Sequence, residues 1–200
     1  MVFIRKKCYI LYYIDERGGN SMKKIIFGLI VCIAMTTGFN AKAHELPKGG
    51  SESKGWIYVG SHWPSTSTKY FEATTDTWET RFLNGINKFE KESNNKFSIS
   101  KVAVGKSENF IEHTSAPTAG WVAQRTFFSI SKDHPTRWRI QFNSALSANS
   151  WTTVAAHEIG HVFGLKDLYE DYNGAKLMYG VDNGTRTMQT SDKTGFNYVY

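Results

Sequence analysis

The string His157-Glu158-Ile159-Gly160-His161 constrains this chain more than any other stretch of it. Histidines at i and i+4 lie one above the other on a helix face, so both imidazoles can reach one ion only if the segment is helical. Trp151, Val154, Ala155 and Val162 fall on the opposite side and are apolar. A helix here can therefore rest on a core and still present two rings to a cleft. The spacing predicts a helix from about Ser150 to Phe163. Glu158 is beside the first histidine in sequence, and its carboxylate can lie near the ion without binding it. A base acting on a metal-bound water needs that placement. Chance would produce the five-residue pattern in roughly one in a hundred chains of this size.

The residues that follow sharpen the reading. Gly164 comes three positions after His161, where a helix needs glycine to turn in the left-handed conformation. Asp167 comes three after that, and the turn brings it back toward the two histidines. The whole string is H-E-x-x-H-x-x-G-x-x-D, and a carboxylate is an acceptable zinc ligand. A distant third ligand is the alternative. After Glu170 the chain has no Glu, which leaves Asp182 and Asp192. Asp182-Asn183-Gly184 reads more simply as a turn, so Asp167 is the preferred third ligand. His44, His62, His113 and His134 read as surface or loop residues.

The elements around this helix define an α+β order. Residues 44–55 are polar and Gly-rich and read as a loose arm, and residues 55–59 as a short strand. A helix is expected over 76–92, capped by Asp76 with Glu79 completing a capping box. Its apolar stripe is Trp78, Phe82, Ile86 and Phe89. Strands are expected at 97–104, 120–130 and 137–142, with irregular chain over 105–119. The final residues, 164–200, read as loop with a short last helix.

The segment HEIGHVFGLKD resembles the metzincin zinc-peptidase signature, with Asp where the third His usually stands. Leu177-Met178-Tyr179-Gly180 is similar to the Met-turn of that family. The Asp ligand and the Asp167/Tyr169 pair look most like snapalysin-type small secreted neutral proteases. The resemblance implies a mixed twisted sheet with a first helix, an active-site helix and a Met-turn. It also implies zinc held by His157, His161 and Asp167, with Glu158 as general base and Met178 as an apolar floor. Gly120-Trp121-Val122-Ala123 resembles the edge strand along which substrate lies, and Tyr179 would belong to the pocket wall. The implied activity is a zinc endopeptidase. The competing readings are a secreted binding or adhesion module with a structural zinc, and a protease toxin or effector with one target. Acidic residues Asp167, Glu170, Asp171 and Asp182 raise calcium as a second ion, but none stands in a calcium-loop spacing.

The ends and the charge fix where such a protein works. The 200-residue chain carries 24 Lys+Arg against 18 Asp+Glu. Residues 1–43 hold 7 of the basic residues and 2 of the acidic ones, so residues 44–200 are close to neutral. That removes the case for nucleic-acid binding. Residues 22–43 read as a secretory signal peptide: Lys23-Lys24, an apolar run, then Ala41-Lys42-Ala43. Residues 1–21 would then be upstream sequence translated in error, because Arg17 to Ser21 can be encoded by a purine-rich bacterial ribosome-binding site. Both cysteines, Cys8 and Cys32, fall in the removed part. The expected mature domain, 44–200, is a secreted bacterial monomer without disulfides. It would have peptide substrates and no stable membrane association.

Overall fold

The computed structural model describes residues 46–58 and 60–200. The expected upstream segment, the signal peptide and His44 lie outside the described residues. The polar run after Pro47 is not a loose arm. β1 (Gly49–Ser51) pairs antiparallel with β2 (Trp56–Tyr58) in a small hairpin. Trp56 and Tyr58 bury their rings, which the flanking glycines and serines concealed in the composition.

The main sheet has five strands in the order β4-β3-β5-β7-β6. They are β3 (Ser67–Ala73), β4 (Ser98–Lys101), β5 (Phe110–Thr114), β6 (Ala123–Ser131) and β7 (His134–Asn143). β3 pairs parallel with β4 and β5, and β5 parallel with β7. β6 alone runs antiparallel, on β7, and is an edge of the sheet. The mixed sheet, first helix, histidine-bearing helix and methionine turn of the expected architecture are all present.

Two strands escaped the sequence reading. β3 was given no assignment, and β5 lies in the segment expected to be irregular. β3 carries the polar Thr68 at a buried position, and the buried polar Asn109 immediately precedes β5, which blurs the apolar alternation. The polar groups are satisfied: Asn109 donates to Thr68 Oγ1 and the Lys69 carbonyl, and accepts from the Trp138 amide at 3.0 Å.

α1 (Asp76–Glu92) buries Trp78, Phe82, Ile86 and Phe89, the expected stripe. Its cap differs. Thr75 is the N-cap, Asp76 is already helical, and no side-chain cap bond forms. α2 (Trp151–Val162) starts at Ser150, whose hydroxyl accepts from the Thr153 amide at 3.3 Å. A 3-10 turn at Asp171–Asn173 precedes α3 (Thr190–Val199). The core between α1, α2 and α3 is aromatic. Phe97 lies 4.3 Å from Phe163 and 5.4 Å from both Phe196 and Tyr200, centroid to centroid. Such contacts add about 0.5–1.5 kcal/mol each beyond area burial. No helix among the described residues is long and apolar enough to cross a membrane.

Candidate metal centre and cleft

α2 is buried almost all round, so its two histidines cannot be an exposed polar face. They are held as a pair, with ring centroids 4.5 Å apart and nearly perpendicular. His157 Nδ1 donates to the Leu177 carbonyl at 2.9 Å, and His161 Nδ1 to the Leu165 carbonyl at 2.7 Å. Carbonyls only accept, so these bonds put a proton on each Nδ1 and leave Nε2 as the nitrogen facing Asp167, where it donates when protonated and can bind a metal when not.

Gly164 turns the chain after the helix with φ +104°, and a Cβ there would sit 2.8 Å from the Cβ of His62. The turn returns Asp167 to the histidines as its position in the sequence suggested. Its Oδ1 lies 2.9 Å from His157 Nε2 and 3.3 Å from His161 Nε2. Ligand atoms of His157, Glu158 and His161 also lie within 4.8 Å of one another. Three acceptor atoms this close are stable only around positive charge, either protons or a metal ion. Ligands about 2.0–2.1 Å from a tetrahedral zinc stand roughly 3.3 Å apart, so the donor set fits zinc.

Glu158 completes the fit. It is buried, and its Oε2 has no hydrogen-bond partner among the described residues. A native protein rarely strands a buried carboxylate oxygen without a use for it. The electrostatics agree with the contacts. Burial alone would raise the Asp167 carboxyl, but hydrogen bonds from His157 and His161 hold it well below its ordinary value. Burial alone would lower His161, but Asp167 and the charge of Glu158 raise it.

The turn under the metal centre is built from the next segment. Met178 is fully buried, and a Cβ on Gly160 would lie 2.4 Å from its sulfur. The methionine therefore packs directly against Gly160 of α2. Asp192, one of the two alternative ligands, is committed elsewhere. Its carboxylate accepts from the amides of Leu177 and Met178 at 3.3 Å and of Gln189 at 2.7 Å. Burial raises its pKa while those amides act to lower it. Asp182 accepts from the Asn149 amide at 2.7 Å, whereas Asp167 is the carboxylate in contact with both histidine rings. Asp171 accepts from the Tyr179 hydroxyl at 3.3 Å. The potential ligand atoms of His157, Glu158 and His161 gather in one place, and Asp167 joins them through its short contacts with both rings.

A cleft of about 610 Å³ opens over these residues. Gly120, Trp121, Val122, Ala123 and Tyr179 all line it. Of the first four, only Ala123 belongs to β6; the others lead into the strand. The other histidines are not all surface residues. His62 is buried, with Nδ1 2.9 Å from the Tyr58 hydroxyl. His113 is half-buried on β5, stacks on Trp78 and bonds Thr74 at 2.7 Å. His134 opens β7 and packs edge-on against His62.

Three residues that position or line the site were not legible beforehand. Arg186 is largely buried in the wall of the cleft and donates to the Tyr179 carbonyl. Arg125 lines the cleft from β6. Strand alternation from Ala123 was a usable signal for it, because residues two apart share a face. Glu52, on the N-terminal hairpin, accepts from the Tyr169 amide at 2.9 Å and from Asn173 Nδ2 at 2.6 Å. The Lys166 amide donates to the Ile57 carbonyl at 2.9 Å. Asp167 is thus bracketed by hairpin contacts at 166 and 169, with Leu168 tied to the Met178 carbonyl. Nothing local in the sequence signals a contact spanning more than 100 residues.

No family model and no curated protein matches the sequence. Solved structures do resemble the fold. Two structures of myroilysin are 14% and 12% identical, with TM-scores of 0.45 and 0.47. They cover 70% and 78% of this chain and 95% and 98% of their own. High choriolytic enzyme 1, a hatching-enzyme zinc-protease from the medaka fish Oryzias latipes, is 13% identical with a TM-score of 0.42. That match covers 78% of this chain and 98% of the fish protein. The chemistry of the site rests on its own side chains.

Proposed function

We propose that this chain is a zinc-dependent endopeptidase of metzincin type. The observation that carries the reading is the buried, unpartnered Glu158 Oε2 beside two imidazoles and a carboxylate converging on one point. Zinc held by His157, His161 and Asp167 would supply Lewis acidity, lowering the pKa of a water and polarising a peptide carbonyl. The protein supplies the rest. The Leu177 and Leu165 carbonyls orient the two rings and fix their tautomers. Glu158 Oε2 takes the proton of the attacking water and passes it to the leaving amine. The edge of β6 and the chain leading into it align an extended peptide by backbone pairing. Tyr179 forms a wall of the cleft.

A structural ion would leave the unpartnered glutamate without a role, so catalysis is favoured over a binding module. The nearer affinity to snapalysin-type proteases, with Asp167 as third ligand, belongs to the same proposal, as does work outside the cell as a monomer. The test is casein or peptide-library cleavage with zinc quantified in parallel. The protein should cleave, lose activity to a chelator and regain it with zinc. Glu158→Gln should retain zinc and lose cleavage. Undiminished cleavage by Glu158→Gln would refute the assignment.

A further inference from the structure

Arg125 is a cleft residue whose guanidinium Nε is buried without a hydrogen-bond partner. It lies two residues beyond Ala123 on β6, on the same strand face, and lines the cleft with Glu158 and Asp167. The guanidinium sits 3.9 Å from the Phe127 ring centroid. It makes no hydrogen bond or ion pair with any described residue, and its Nε is buried without a partner. A guanidinium offers five donors in a rigid fork and no acceptor, so half-burying it without an oxygen partner is costly. Other arginines nearby are engaged. Arg139 on β7 has Glu112 at 3.0 Å, and Arg186 has the Tyr179 carbonyl.

The neighbouring charges do not use up that of Arg125. Glu158 and Asp167 act on it through space, against the burial that lowers its pKa. A divalent cation at the histidines offsets those two negative charges. Arg186 is buried too, and feels Asp182, Asp192 and Asp167 through space. Arg125 is then an unspent positive charge beside the reaction centre.

We propose that Arg125 is a specificity-determining residue that pairs with the carboxylate of an Asp or Glu close to the scissile bond. This rests on the peptidase reading and names its substrate class. β6 is a sheet edge, so a peptide can add to it as a strand, with alternate side chains directed to one face. A carboxylate in that position accepts two parallel bonds from the fork, the geometry in which arginine discriminates best.

The experiment compares the zinc-loaded protein with Arg125→Ala and Arg125→Glu on a peptide library and on matched peptides differing by Glu against Gln. The unmodified protein should enrich Asp and Glu at one position flanking the cleaved bond. It should favour the Glu peptide by about tenfold or more in kcat/KM. Arg125→Ala should bring the ratio near one, and Arg125→Glu should move the preference to Lys and Arg. Equal slowing of acidic and neutral peptides by Arg125→Ala, or no acidic preference in the unmodified protein, overturns the proposal. A second arm needs no turnover: fluorescence anisotropy of the same peptides on Glu158→Gln, with and without Arg125→Ala. If no peptide is cleaved, the peptidase reading fails, and this arm still decides for Arg125. Preferential binding of the Glu peptide that Arg125→Ala abolishes supports it; equal binding overturns it.

Discussion

Glu52→Ala perturbs the metal centre without touching it. The carboxylate accepts from the Tyr169 amide at 2.9 Å and from Asn173 Nδ2 at 2.6 Å; the Glu170 contact, at 3.4 Å, is too long to count for much. A hydrogen bond to a charged group contributes about 1.5–3 kcal/mol, and half-burial places these two at the lower end. Their loss should cost about 3 kcal/mol of stability. The fold should survive, because the Lys166–Ile57 and Leu168–Met178 backbone bonds remain. The segment carrying Asp167 would then be anchored on one side less firmly than the other. Loss of a group that orients a metal ligand typically weakens affinity by about tenfold or more. Urea unfolding of the metal-free protein and zinc competition against a chelator measure the two effects separately. The reasoning about how Asp167 is placed is refuted if zinc affinity stays within twofold while stability falls.

Other consequences are as direct. Asp192→Ala leaves the Leu177, Met178 and Gln189 amides without their buried acceptor, and should cost about 3–5 kcal/mol, read as a lower denaturation midpoint. It should also weaken zinc, because the Leu177 carbonyl orients His157. Gly160→Ala places a methyl against the Met178 sulfur; overpacking of this kind costs about 1–3 kcal/mol, measurable by thermal unfolding. Phe97→Ala removes a ring that meets Phe89, Phe163, Phe196 and Tyr200, and should cost about 3–5 kcal/mol in the same assay.

What could be read in the sequence was local. Spacing within one helix placed His157, Glu158 and His161, and a glycine at a fixed offset placed Asp167. The stripe of α1 was legible for the same reason, since its period of 3.6 is written in consecutive residues. β3 and β5 were not, because Thr68 in β3 and Asn109 just before β5 are polar yet buried and are satisfied by partners far along the chain. His113 and His134, expected at the surface or in loops, lie in β5 and β7, and their neighbours Thr74, Trp78 and His62 come from other elements. The second strand of the hairpin was legible at 55–59, but β1 was hidden by its glycines and serines, and with it the role of Glu52. The chemistry-bearing residues were therefore visible before the structure. The groups that hold them were not, because each is brought in by tertiary contact.

X-ray absorption at the zinc edge of the purified, zinc-loaded protein bears most directly on the central arrangement. Two imidazole nitrogens and one carboxylate oxygen from the protein should account for the protein ligands, with a further oxygen from solvent, and Asp167→Ala should remove one oxygen. A third imidazole, a fourth protein ligand, or a spectrum unchanged by Asp167→Ala would contradict it.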